Sequence, residues 1–168
     1  MGMPTNHGGL EEVNSLPREV AVRQFLTICS SLRWAESMAD SRPFGDVTQL
    51  QGRAESVWLG LGPDDWLEAL AGHPRIGERG GAAEDHSRRE QAGVQEASQS
   101  VRAAMAAGNR QYEERFGHVF LISAAGRRPE EILGALTRRL DNSPEQELRV
   151  AAEEHRRITR LRLERMFG

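Results

Sequence analysis

Two short runs of this chain carry residue types that can do chemistry. One is His73-Pro74-Arg75-Ile76-Gly77-Glu78, and the other is Ser87-Arg88-Arg89-Glu90-Gln91-Ala92-Gly93. An imidazole titrates near neutral pH, so His73 has the makings of an acid/base group. Gly72 ahead of it and Pro74 behind it hold it out of regular helix, because a proline disfavours the α region for the residue before it. Ser87-x-x-Glu90 has capping-box spacing: the serine takes the amide of the third helical residue, and the glutamate returns to the serine amide. A helix N-terminus of this kind offers amide donors and a carboxylate to a polar, partly anionic ligand. Gln91 adds a donor and an acceptor suited to a ureido or imidazolone edge.

Each feature also has a plainer reading. A loop histidine is often only solvated, Arg75 and Glu78 can be a surface ion pair of little energetic worth, and Ser87 to Glu90 can be a cap and nothing more. Capping and ligand contact are compatible, since a cap fixes the geometry of its own backbone donors.

Other chemistries find less support. His7, His86, His118 and His155 show no i, i+4 pairing, and there is no Cys/His cluster, so no metal site is expected. Neither G-x-x-x-x-G-K-[ST] nor G-x-G-x-x-G occurs, and no nucleotide cofactor is expected. The single cysteine, Cys29, lies beside Phe25, Leu26 and Ile28 and reads as a buried thiol in a reducing compartment. With 28% charged residues, 38% hydrophobic residues and a formal net charge of -3, the chain has no footprint for nucleic acid or an acidic membrane surface. No apolar run approaches the roughly 20 residues of a membrane span, no signal peptide is evident, and a cytoplasmic protein is expected.

The elements that must position these residues are helices. Residues 1–13 look like a loose, flexible tail, and residues 14–168 form one helical domain. Apolar residues recur at helical spacing after Pro17 (Val22, Phe25, Leu26, Cys29), at Trp34, Ala35 and Met38, and after Asp46 (Leu50, Ala54, Trp58). Pro63 opens a short helix that stops at Gly72-His73-Pro74, and Ser87 begins a long pattern with a break near Gly108 that ends at Gly117. Phe120-Leu121-Ile122 is a short extended piece, Pro129 starts another helix, and Ser143-Pro144-Glu145-Gln146 caps the last. On that final helix Arg160, Arg162 and Arg165 run with Glu153, Glu154 and Glu164. Most of these charges read as a solvated face, while one arginine turned inward can clamp an anion. The fold class is all-α, a single-domain compact helical bundle of about seven to nine helices.

Taken in order, these motifs resemble one family. They are Trp34-Ala35 leading to Arg42-Pro43-Phe44, His73-Pro74-Arg75-Ile76-Gly77, and Ser87-x-x-Glu90-Gln91-x-Gly93. Then come Asn109-x-x-Tyr112-x-x-x-Phe116-Gly117-x-x-Phe120, Gly126-Arg127, Arg139-Leu140-x-Asn142 and Glu154-x-x-x-Ile158-x-x-x-Arg162-Leu163. The chain is similar over most of its length to 2-oxo-4-hydroxy-4-carboxy-5-ureidoimidazoline (OHCU) decarboxylases, all-helical enzymes of urate breakdown that need no cofactor. The resemblance implies decarboxylation to S-allantoin, with His73 as proton donor and Glu90 as the second catalytic residue. It implies substrate-binding positions at Pro74, at Ser87, Arg88, Arg89, Glu90 and Gln91, and at Phe120, Leu121, Ile122, Ser123 and Ala124, the last stretch through its backbone. Arg162 matches the family's active-site arginine, with Arg160 as the neighbouring register. A homodimer is also implied. A lyase for a related ureido acid, or a non-catalytic helical ligand-binding module, are the other readings of the same residues.

Overall fold

Local chemistry opens and closes most of the helices. In the computed structural model, which describes residues 7–76 and 98–168, side-chain oxygens of Ser31, Asp46 and Ser98 accept the amides of Trp34, Gln49 and Val101. Ser143 does the same for Gln146 at 3.2 Å. Eight helices occur among the described residues, and no strand: α1 (His7–Ser15), α2 (Arg18–Leu26), α3 (Leu32–Asp40), α4 (Val47–Leu59), α5 (Pro63–Ala71), α6 (Gln99–Phe116), α7 (Pro129–Arg139) and α8 (Pro144–Phe167). Pro63, Pro129 and Pro144 each occupy the first position of a helix, where a missing amide hydrogen costs nothing. Gly117 ends α6 in the left-handed region, φ 77°, which favours glycine. The all-α class holds, and none of the described helices is long and apolar enough to cross a membrane.

Two expectations need correction. The stretch before Asn14, expected to be a loose tail, is helical from His7, with Leu10 and Val13 buried on one face. Burial of that pair outweighs the local preference of Gly8 and Gly9 for irregular backbone. The break expected near Gly108 is absent, because α6 runs unbroken through it. The glycine serves packing instead: a Cβ there would stand 2.6 Å from a methyl of the buried Leu136 side chain of α7, which would have to shift to admit it.

The chain's contacts fall into two units. The first takes residues 1–69 and 156–168. Its centre is Phe25, whose ring meets Trp34 edge-on at 5.9 Å and Phe44 at 6.5 Å. Trp34 donates its indole N–H to the Ala54 carbonyl at 3.2 Å. Arg42 donates to the carbonyls of Val13 and Leu16, and the Asn14 side chain bonds both backbone groups of Phe44, so α1 and its link to α2 are tied to the turn after α3. Cys29 is buried here, and burial pushes its thiol up to about 12.

The second unit takes residues 70–155. Met105 and Tyr112 of α6 pack with Ile132, Ala135 and Leu136 of α7, and Ile76, Phe120, Ile122 and Ala124 complete this core. The segment from Val119 to Ala124 forms neither helix nor strand, yet most of it is buried.

Candidate active site

His73 follows the end of α5, where its amide donates to the Leu70 carbonyl at 3.1 Å and closes the last turn. Pro74 then prevents the helix from continuing. The imidazole is not the solvated loop side chain of the plainer reading: His73 is only 9% exposed. Its ring meets that of His155, on α8, at 4.8 Å between centroids and 89° between planes. Beyond it, Arg75 forms an exposed ion pair with Glu113 at 2.8 Å, and Ile76 enters the core with its carbonyl accepting from Asn109.

The Phe120 to Ala124 segment lies in the same unit as His73, and charged side chains hold its backbone. Arg139 donates through Nη1 to the Leu121 carbonyl at 2.8 Å, and its guanidinium lies 4.5 Å from the Phe120 ring centre. The Ser123 amide donates to the Glu154 carboxylate at 3.0 Å, and Arg127 approaches the other oxygen of that carboxylate at 3.8 Å. Arg139 is in turn held by Glu147, fully buried, with N–O distances of 2.6 and 2.7 Å. Glu147 also accepts from the Tyr112 hydroxyl at 2.6 Å and from the Asn142 amide at 2.9 Å. Burial and this carboxylate hold the Tyr112 phenol well above its usual range, so it stays a neutral donor.

The sequence marks Tyr112, Arg139, Asn142 and Glu154 only as parts of motifs, without a role, and reads most of the charges on the last helix as a solvated face. Glu154 stands outside that face, since it is 8% exposed and bonded to backbone. A signal for it exists. Glu147, Ala151, Glu154, His155, Ile158 and Arg162 recur at helical spacing, and all six are buried. Polar residues standing in an apolar stripe mark partners waiting across it.

Arg162 belongs to the other unit. It is 1% exposed and donates through Nη1 to the Ile28 carbonyl at 2.8 Å, whereas Arg160 is exposed. Of the two registers, Arg162 is therefore the arginine turned inward. Ser87, Arg88, Arg89, Glu90 and Gln91 lie outside the described residues. An open cavity of about 450 Å³, lined by Gln51, Glu55, Trp58, Arg156 and Thr159 among others, belongs to the first unit and contains none of the expected site residues.

Comparison with known proteins accounts for the pattern. A family model described as OHCU decarboxylase matches residues 14–164. The chain is 33% identical over 162 residues to the 2-oxo-4-hydroxy-4-carboxy-5-ureidoimidazoline decarboxylase of Haloferax volcanii, covering 95% of this chain and 96% of that protein. It is 32% identical over 157 residues to the uric acid degradation bifunctional protein of Arabidopsis thaliana, covering 89% of this chain but 48% of that protein, about half its length. A crystal structure of OHCU decarboxylase in the presence of (S)-allantoin matches with a TM-score of 0.77 at 32% identity, over 86% of this chain and 97% of that one. With one model spanning nearly the whole chain, and a relative of the same length carrying the same name, this chain belongs to the OHCU decarboxylase family.

Proposed function

We propose that the chain decarboxylates 2-oxo-4-hydroxy-4-carboxy-5-ureidoimidazoline to allantoin, a step of urate degradation, and that His73 delivers the proton that makes the product S. The observation that carries this reading is the family match over residues 14–164, which includes His73 in its His-Pro setting. In the reaction the bond from C4 to the carboxylate breaks, carbon dioxide leaves, and the electron pair moves into the adjacent ring C=N system. A proton is then added at the ureido-bearing carbon as the C4 hydroxyl gives up its proton and becomes the ring carbonyl. The ring C=N beside C4 takes up the pair, so the substrate provides its own electron sink and no cofactor is called for. What the protein must add is fixed donors for the developing charge and one proton on one face.

Several observations support these roles. His73 is buried at a helix end and its ring is packed against another, so it can be held in one orientation. Protonation by one placed group gives a single enantiomer, whereas water gives both. The backbone from Phe120 to Ala124 is anchored at Leu121 and Ser123, which suits a segment whose remaining backbone groups contact the imidazolone. Arg162, buried and charged, suits an anion clamp. Glu90 as the second catalytic residue, and Pro74 and Ser87 to Gln91 as binding positions, follow from the resemblance. So does a homodimer; the single cysteine suits a reducing, cytoplasmic compartment.

The test uses freshly generated substrate and follows optically active allantoin by circular dichroism. The native protein is expected to outpace spontaneous decay by a wide margin. His73→Ala is expected to lose about 10²–10⁴-fold in kcat while still binding allantoin by calorimetry. A His73→Ala protein at full rate removes the proposed proton donor. A native protein that binds allantoin but gives no acceleration leaves a ligand-binding module.

A further inference from the structure

We propose that His155 is a positioning residue for His73: its ring, set edge-to-face against the His73 ring, fixes the orientation in which His73 presents its proton. The proposal rests on the reading of His73 as proton donor. The two rings sit 4.8 Å apart at 89°, the edge-to-face geometry in which aromatic pairs attract, and His155 is fully buried. Burying an imidazole costs more than burying an aliphatic side chain of similar size unless its polar atoms are satisfied. On the same face of α8, Ala151 one turn before and Ile158 one turn after are apolar and buried. The edge-to-face contact with His73 needs a ring at this position, which an aliphatic side chain of similar volume does not provide.

The residue beside it strengthens the assignment. Glu154 accepts the Ser123 amide at 3.0 Å, so one turn of α8 supports both the proton donor and the backbone segment proposed to face the imidazolone. A shift of this turn moves both. That coupling suits a reaction in which the proton must reach one face of a ring held by the other wall, since misplacement by about 1 Å can cost on the order of 10²-fold in rate.

The comparison is between His155→Leu, which fills similar volume without an aromatic ring, and His155→Phe, which keeps one. Substitution by Leu is expected to lower kcat about 10–100-fold with KM and the calorimetric affinity for allantoin within about twofold of native. Substitution by Phe is expected to restore kcat to within about threefold, and thermal unfolding by circular dichroism reports whether each variant folds. Should the Leu variant not fold, His155→Met, whose side chain adapts to irregular space, takes its place. Retention of native kcat by the Leu or Met variant overturns the proposal. So does a rise in KM at constant kcat, or equal loss in the Leu and Phe variants. His73→Ala at full rate would instead overturn the underlying reading, whatever happens at position 155.

Discussion

At the scale of single residues, the second unit buries charged side chains against the backbone of the Phe120 to Ala124 segment. Glu147 is fully buried and receives Arg139, Tyr112 and Asn142, while Arg139 reaches on to the Leu121 carbonyl. Removing one partner from such an arrangement strands the other. Arg139→Met leaves the Glu147 carboxylate buried without its cation and is expected to cost roughly 3–5 kcal/mol in urea unfolding. Adding Glu147→Leu recovers only part of that, because Tyr112 and Asn142 then lose their acceptor, each at about 1–3 kcal/mol. An Arg139→Met protein within about 1 kcal/mol of native would show that the guanidinium is not the group compensating Glu147. By contrast, the exposed pair of Arg75 and Glu113 contributes little, as surface ion pairs do, while Glu78, the partner expected from the sequence, lies outside the described residues.

At the scale of elements, what the sequence reveals depends on whether its cause is local. The cap at Asp46, the proline start at Pro129 and the glycine stop at Gly117 are each decided by neighbours a few residues away, and each is legible. Helix α1 is not legible, because its two buried residues do not outweigh two glycines until they meet a core that local pattern does not contain. Glu154 and His155 go unrecognised for a related reason: periodicity shows which residues share a face, not what lies opposite that face. His73 is legible as a candidate from Gly72 and Pro74, but its burial against His155 is not, since that partner stands far along the chain. Gly108 is the sharpest case, because the residue that requires it is Leu136 on another helix. Gly108→Ala places a methyl group against that side chain and is expected to destabilise by about 1–3 kcal/mol, despite alanine's better helix propensity. Leu136→Ala in the same chain should remove the overlap, so the two changes together cost less than the sum of each alone. Additive costs in that cycle would place the strain elsewhere.

At the scale of the whole molecule, the first unit is discontinuous in sequence. It is built from residues 1–69 and 156–168, and its bonds include Arg162 to the Ile28 carbonyl and Gln51 to the Arg160 carbonyl. On a ribosome the chain emerges N-terminus first, at about 5–20 residues per second. For several seconds helices α1 to α4 are therefore outside the exit tunnel without the segment that completes their core, and residues 1–69 must wait for residues 156–168. Nascent chains stalled before residue 156 are expected to leave α1 to α4 open to protease, and released chains that include residues 156–168 to protect them. Equal protection in the stalled chains would show that the opening helices reach a stable core by themselves. Any chaperone that attends this protein during synthesis meets, on this view, an apolar surface that residues 156–168 later help to cover.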